Sequence, residues 1–136
     1  MLSSFEWDNQ PQQINFVETV QVTTGVECDV YTFANDPTKD LGIIKIKPGH
    51  KTPLQKVLQG EKTIEGFISG KGKLLVTRGD GNTEEYEVGD ESHHQPSVTV
   101  LVGETMQWQA AEDSNLEAYE ICFPPYADGR FENLSS

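Results

Sequence analysis

The sequence predicts an all-β domain, either a sandwich or a barrel. Short segments rich in β-branched and aromatic residues recur along the chain, and clusters of turn residues separate them. Helical periodicity is nearly absent: the best candidate is Leu54, Val57 and Leu58, which Pro53 and Gly60 limit to about two turns. The length of 136 residues suits one domain, because so short a chain can hardly build a second hydrophobic core.

The predicted strands follow one another with short connections. They cover residues 26–33, 41–47, 73–78, 84–88, 98–102, 105–109 and 116–123, and the N-terminal strands lie within 14–33. The Gly-Asp-Gly-Asn-Thr segment at 79–83 predicts a hairpin loop. Residues 103–104 and 112–115 predict the turns that separate the last three strands.

The strand predicted over 116–123 has apolar side chains on both faces. Alternation places Leu116, Ala118 and Cys122 on one face, and Tyr119, Ile121 and Phe123 on the other. A strand that is covered on both sides indicates two packed sheets. The Pro124-Pro125 pair ends this strand and starts a tail at 126–136, in which Phe131 and Leu134 would dock on the chain's own barrel or on a partner subunit.

The charge of the chain argues against several classes of partner. Ten basic and 22 acidic residues give a formal net charge of −12. Because this field repels phosphate groups, we expect neither nucleic acid nor an anionic membrane surface as a partner. Residues 1–10 contain no apolar run, so we expect no signal peptide and no membrane anchor. Cys28 and Cys122 lack CxxC spacing and are expected to be reduced, buried thiols of a cytoplasmic protein.

Motifs centred on glycine give the chain a family resemblance. Lys47-Pro48-Gly49, then residues 63–70 and Gly72, resemble the first signature of the cupins, which ends in an apolar pair and a Gly-x-Gly turn, here Gly70-Lys71-Gly72. Residues 88–90 resemble the segment that links the first signature to the second. Residues 102–108 and 116–125 resemble the second signature and the strand that closes the barrel. The match is to small, single-domain cupins of the conserved-barrel (cupin-2) type.

The resemblance implies the architecture of the whole chain. A double-stranded β-helix, the jelly-roll barrel of the cupins, would form a single domain over 1–136. Its conserved core would lie at about 40–125, preceded by the N-terminal strands at 14–33 and followed by the tail at 126–136. The resemblance also implies a homodimer.

The positions at which cupins carry metal ligands hold other residues here. The family pattern has three histidines and a glutamate where this chain has Gln55, Val57, Thr63 and Met106, although a shift of register in the loop would put Glu61 at the glutamate position. An amide, a hydroxyl and a thioether bind iron, manganese or zinc poorly. The sequence therefore predicts no metal and no cofactor.

A displaced metal site is the alternative. It would be built from His50, His93 and His94 with Glu65 or Glu61. Adjacent histidines on a strand point to opposite faces, so His93 and His94 would share an ion only in a loop. Solvated or hydrogen-bonded loop histidines are the simpler interpretation.

Without a metal, the barrel would still enclose a cup for a small molecule. Strand alternation predicts apolar walls from Val57, Phe67, Met106 and Trp108, and polar groups from Gln55, Thr63, Glu65 and Glu120. Glu65 and Glu120 are the catalytic candidates, because a carboxyl group in an apolar cup has a raised pKa and exchanges protons near neutral pH. The alternatives are that the apolar residues and Thr63 fill a core, Gln55 caps a loop, and the glutamates point to solvent or to a dimer interface.

Four functions follow from this cup. The first is metal-independent binding of a small molecule, such as a sugar or a small organic acid. The second is a metal-free isomerase or epimerase with Glu65 or Glu120 as the base. The third is a metal-dependent enzyme such as a dioxygenase, and the fourth is a structural dimer with a vestigial cavity. Arg78 and Arg130 are the only arginines, which argues against nucleotide sugars as substrates.

Overall fold

The computed structural model describes residues 2–7, 9–58, 60–89, 97–125 and 131–134. Within these ranges the chain forms eleven β-strands and no helix. The strands are β1 Ser4–Trp7, β2 Gln10–Thr23, β3 Val26–Phe33, β4 Asp36–Ile46, β5 Leu54–Val57, β6 Lys62–Thr77, β7 Thr83–Gly89, β8 Val98–Leu101, β9 Thr105–Ala110, β10 Leu116–Phe123 and β11 Phe131–Leu134. The described residues contain no helix with the length and hydropathy needed to cross a bilayer. The all-β prediction is confirmed.

Strand β6 belongs to two sheets that face each other. Its first half pairs with β10 and β8, and its second half pairs with β7 and β9. The first sheet continues from β10 through β4, β3 and β2 to β1, whereas the second continues from β9 through β5 to β11. All of these pairings are antiparallel, and together they form a jelly-roll.

The Gly70-Lys71-Gly72 segment is part of a continuous strand, and the prediction of a turn there was wrong. Gly70 has a φ of +92°, and a Cβ atom on it would lie 2.0 Å from the carbonyl oxygen of Asn115. A Cβ atom on Gly72 would lie 2.1 Å from the carbonyl oxygen of Gln109. Both glycines let neighbouring backbones approach closely while β6 passes from one sheet to the other.

Residues 54–57, the best candidate for a helix in the sequence, form strand β5 instead. Gln55 lies opposite Met106 of β9 on one side and Asn133 of β11 on the other. Two hydrogen-bonded edges satisfy this backbone, whereas a helix confined between Pro53 and Gly60 would carry the full cost of nucleation for few hydrogen bonds.

The C-terminal tail pairs with the chain's own barrel. Strand β11 runs antiparallel to β5 over four residue pairs, from Phe131 opposite Val57 to Leu134 opposite Leu54. Of the two alternatives for the tail, docking on its own barrel or on a partner subunit, the structure contains the first. Strand β11 thereby forms one edge of the second sheet.

Two hydrophobic clusters cover the two faces of the first sheet. The larger fills the space between the sheets and includes Ile44, Val76, Trp108, Leu116 and Ala118. The smaller lies on the outer face and includes Ile14, Tyr31, Leu41, Ile43 and Ile121, with Phe5 and Trp7 of β1 packed against it. Strand β10 contributes to both clusters, so both of its faces are covered, as predicted from its sequence.

Candidate functional site

The strand register lines up four residues across the first sheet, called here the inner row: Glu65 in β6, Glu120 in β10, Gly42 in β4 and Val30 in β3. Directly opposed residues point to the same face of a sheet. That face is the barrel interior, because the next row on it (Phe67, Ala118, Ile44 and Cys28) packs in the larger hydrophobic cluster. Glu65 is fully buried and the other three are half-buried, so the inner row leads from the interior towards solvent.

The Glu65 carboxyl group is held on one side only. Its Oε1 accepts a hydrogen bond from the indole Nε1 of Trp108, 2.9 Å away, in the opposite sheet. Its Oε2 is buried and has no hydrogen-bond partner among the described residues. Burial, and then the charge of Glu120, raise the pKa of Glu65 well above its usual value, against the effect of hydrogen bonding by Trp108 and Thr63. The shift is towards the protonated form, in which the unpaired Oε2 would be the oxygen that carries the O–H donor.

Further acidic groups lie beside Glu65 on the same face. The thiol of Cys122 donates to Oε1 of Glu120 over 3.3 Å. Cys122 lies opposite Thr63 on one side and opposite Asp40, which is buried, on the other. The carboxyl groups of Glu65, Glu120 and Asp40 thus share the inner face with the Thr63 hydroxyl group and the Cys122 thiol. Neither the inner row nor the adjacent row of Thr63, Cys122 and Asp40 contains a lysine or arginine. This face attracts cations and hydrogen-bond donors and repels anions.

Cys28 lies on the same inner face, above Gly42. A Cβ atom on Gly42 would be 2.9 Å from the sulfur of Cys28, so the glycine leaves room for the thiol. Burial, and then the charge of Glu120, raise the pKa of Cys28 to about 12. A thiol that stays protonated is a poor nucleophile. Cys28 and Cys122 are both free thiols; Cys122 is buried, as expected, whereas Cys28 is only half-buried.

The structure brings most of the predicted pocket residues together. Val57, Phe67, Met106 and Trp108 all belong to the larger hydrophobic cluster. The Thr63 hydroxyl lies 3.9 Å from the sulfur of Met106, at the distance of a weak hydrogen bond. The half-buried Gln55, opposite Met106, stands at the margin of this group.

These side chains fill much of the barrel interior. Val57, Met106 and Trp108 are at most 3% exposed, and Thr63 is fully buried. Two surface clefts, with volumes of about 390 and 280 Å³, open elsewhere, and none of the eight predicted site residues lines either one. Neither cleft reaches Glu65, and the half-buried residues that follow it in the inner row are Glu120, Gly42 and Val30.

Two candidates for the displaced metal site, His50 and Glu61, lie in turns of the described chain. The ring of His50 packs against Gly25 in the β2–β3 turn, where a Cβ atom would lie 2.4 Å from it. Glu61 is exposed in the turn before β6, so it does not face the interior. Among the described residues no group of three histidine, cysteine or acidic side chains is arranged to hold a metal ion. His93 and His94 lie outside the described residues.

Sequence analysis missed Asp40, Gly42 and Cys28 as residues of this site. Asp40 and Gly42 lie on β4, where both faces are apolar and period-2 alternation gives no sign of which side chains point inward, whereas alternation over 26–30 on β3 could have placed Cys28 on the face of Val26. The pairing register that places them beside Glu120 appears only in the folded sheet.

Solved structures with the same fold are enzymes and assembly proteins. Oxalate decarboxylase from Bacillus subtilis matches with a TM-score of 0.70 and 15% identity, over 86% of this chain and 30% of the enzyme. The capsular polysaccharide assembling protein CapF from Staphylococcus aureus matches with a TM-score of 0.66 and 16% identity, over 88% of this chain and 35% of CapF. The chain thus spans about a third of the length of these structures. No protein-family model and no curated protein matches the sequence.

The chain has the cupin jelly-roll fold. The structural matches and the all-β architecture agree on this point with the resemblance found in the sequence. At 15 or 16% identity, the likeness to these cupin structures concerns the fold alone.

Proposed function

We propose that this cupin-fold chain binds a small, uncharged organic molecule rich in hydroxyl groups, such as a sugar, without a metal ion. The observation that supports the proposal most directly is the Glu65 Oε2 atom, which is buried and has no partner among the described residues. An unsatisfied buried polar atom costs about 1–3 kcal/mol, and a ligand that bonds to it recovers that cost.

The chemistry of the inner face favours sugars over organic acids. The protonated Glu65 would donate Oε2–H to a ligand oxygen, while Glu120 and Asp40 would accept from ligand hydroxyl groups. A carboxylate or phosphate ligand would be repelled by the same carboxyl groups. Trp108 and Phe67 supply the apolar walls on which the carbon face of a ligand would pack.

The residues at the expected ligand positions support the metal-independent part of the proposal, and one structural neighbour supports the small-molecule part. Gln55, Val57, Thr63 and Met106 replace the usual ligands, and Glu61 is exposed. One oxalate decarboxylase neighbour has Mn(II) centres, whereas CapF has been solved with the inhibitor 3-isopropenyl-tropolone. In other chains, then, this fold accommodates both metal ions and small organic molecules.

Thermal-shift measurements with two Glu65 variants test the proposal. Neutral monosaccharides and disaccharides form one probe set, and small carboxylic acids form the other. We expect a sugar, and no acid, to raise the unfolding temperature by mass action. Glu65→Gln keeps an acceptor for Trp108 and a donor at the second position, so it retains the shift, whereas Glu65→Met loses it. Glu85→Gln, on the exposed hairpin, is the control.

Two results would count against the proposal. Equal shifts for the wild type and Glu65→Met would place the ligand elsewhere. Stoichiometric iron, manganese, nickel or zinc in the purified protein, measured by elemental analysis, would overturn its metal-independent part.

A metal-free isomerase is the second candidate. Glu65 and Glu120 lie directly opposite each other on neighbouring strands, and the Glu120 charge favours the proton on Glu65. A protonated and an ionised carboxyl group side by side supply the donor and acceptor that proton transfer at a carbon next to a carbonyl requires. Deuterium incorporation from D₂O into a reducing sugar, followed by NMR and lost in Glu120→Gln, would support this candidate. No incorporation would reject it.

A further inference from the structure

The larger of the two surface clefts, about 390 Å³ in volume, lies on the outer face of the first sheet and is called here the outer cleft. One row of directly opposed residues crosses it on five strands: Gln21 in β2, Glu27 in β3, Lys45 in β4, Glu117 in β10 and Ser69 in β6. This row points away from the barrel interior, because the chain neighbours Val26, Ile46 and Leu116 pack in the larger hydrophobic cluster.

The charges of the outer cleft are balanced, unlike those of the chain as a whole. Two lysines, Lys45 and Lys47, and two glutamates, Glu27 and Glu117, line the cleft, whereas the whole chain has a net charge of −12. An anionic group is repelled by the overall charge, but in this cleft it meets two ammonium groups. The cleft therefore favours a ligand that carries one charge of each sign.

Two of these charges have no partner within the described part of the chain. Lys45 forms an ion pair of 2.9 Å with Asp29, although the residue directly opposite Lys45 on β3 is Glu27. Neither Glu27 nor Lys47 forms an ion pair with another described residue. One carboxylate and one ammonium group of the cleft are thus left for a ligand.

The spacing of these two groups matches the length of a dipeptide. The Lys47 amide donates to the carbonyl of Gly25 over 2.9 Å, so Lys47 continues the pairing of β4 with β3. Lys47 therefore lies on the same face as Lys45, about 7 Å further along the strand direction than the row of Glu27. An extended dipeptide separates its terminal ammonium and carboxylate groups by about the same distance, about 7 Å.

We propose that the outer cleft binds a dipeptide with free termini, whose carboxylate lies at Lys47 and whose ammonium group lies at Glu27. The hydroxyl of Ser69 and the amide of Asn115, which also line the cleft, are the kinds of group that bond to a peptide link. This site is separate from the barrel interior, since Glu65 and the other predicted pocket residues do not line it. It is therefore independent of the proposed sugar site.

NMR titration of the ¹⁵N-labelled full chain with glycylglycine tests the site. We expect the backbone amide signals of residues 25–27, 45–47 and 115–117 to shift, while those of Glu65 and Trp108 stay in place. N-acetylglycylglycine and glycylglycine amide each lack one terminal charge, so each should bind at least about fivefold more weakly. Added salt should weaken the binding of glycylglycine, because the contacts are between partly exposed charges.

Two single variants test the assigned contacts. Lys47→Gln and Glu27→Gln each remove one exposed charge that has no ion pair in the described structure, so both should fold and should bind glycylglycine at least about fivefold more weakly. Lys73→Gln, on the second sheet, is the control and should leave the dissociation constant within about twofold.

Three results would overturn the proposal. The first is the absence of shifts at 25–27, 45–47 and 115–117 with millimolar glycylglycine. The second is equal binding of glycylglycine and of its acetylated, amidated form, which has no charge. The third is unchanged binding in both Lys47→Gln and Glu27→Gln. None of these results depends on whether the barrel interior binds a sugar.

Discussion

The indole N–H of Trp108 in one sheet donates to the buried carboxyl group of Glu65 in the other, with 2.9 Å between nitrogen and oxygen. This bond crosses the barrel interior, and the other carboxyl oxygen of Glu65, Oε2, has no hydrogen-bond partner among the described residues. Because the other carboxyl oxygen is unpaired, the stability of the site depends strongly on this donor.

Replacing Trp108 by Phe tests that dependence. The variant keeps an aromatic ring but removes the indole donor from the buried Glu65 carboxyl group, so we expect a loss of about 2–3 kcal/mol in the free energy of unfolding, measured with urea. Trp7→Phe is the matched control, since Trp7 lies half-buried on the outer face of the first sheet. Equal losses in the two variants would contradict the assigned role of the Trp108 N–H.

The Glu65 carboxyl group makes stability depend on pH. Its pKa is raised in the folded chain above the usual 4.5, so the folded state holds the proton more tightly than the unfolded state does. The stability that this proton contributes is present below pH 4.5 and is lost as the pH rises towards the folded pKa. We expect the wild type to lose up to about 1.4 kcal/mol per pH unit over that window, relative to Glu65→Gln.

Urea unfolding at a series of pH values measures this difference. Glu85→Gln, at an exposed position on β7, serves as the control and should track the wild type throughout. A difference between Glu65→Gln and the wild type that stays constant from pH 5 to pH 8 would show that Glu65 does not titrate in this window.

Gly66 is expected to tolerate no side chain. A Cβ atom there would lie 2.1 Å from the ring of Tyr119, which packs edge-on against Phe5 with 5.1 Å between ring centroids. Gly66→Ala should therefore displace the ring and cost about 2–3 kcal/mol of unfolding free energy. Gly79→Ala, where a Cβ atom would meet nothing within 4 Å, should cost less than about 0.5 kcal/mol. Similar unfolding midpoints for the two variants would argue against this packing.

Strand β11 should stabilise the edge of the second sheet. A chain that ends at Pro125 loses the four residue pairs with β5, and we expect about 1–3 kcal/mol less stability, from a net contribution of about 0.5–1.5 kcal/mol per hydrogen bond. Hydrogen exchange should accelerate at β5 before it does at β10. A chain that lacks only residues 135–136 is the control, and equal exchange at β5 in both chains would contradict the pairing.

The sequence predicts the inner barrel residues well where strands alternate. Met106 and Trp108 are two residues apart on β9, so their side chains point to the same face, and the same holds for Thr63, Glu65 and Phe67 on β6. Once one side chain of a strand is assigned to the interior, alternation assigns the others. Strand β4 shows why the rest stayed hidden. Leu41, Ile43, Ile44 and Ile46 are all buried, and a strand that is apolar on both faces gives no parity signal for Asp40 or Gly42.

Elements that depend on distant partners were the hardest to predict. Strand β5 has four residues, and its conformation is decided by β9 and β11, which pair with it from other parts of the chain. The long strand β2 is mostly exposed, and the N-terminal strand β1 forms only because β2 offers it an edge. Such pairings depend on tertiary structure, which local patterns do not encode.

The position of β10 in the first sheet constrains when the barrel can form during synthesis. Strand β10 lies between β4 and β6, although both precede it in the chain. Until Phe123 has left the ribosome, β4 and β6 cannot make their native contacts with β10, and Leu116 and Ala118 cannot close the interior. The edges of β4 and β6 that pair with β10 therefore stay open until residues 116–123 are available, so the barrel closes only after these residues have joined the sheet.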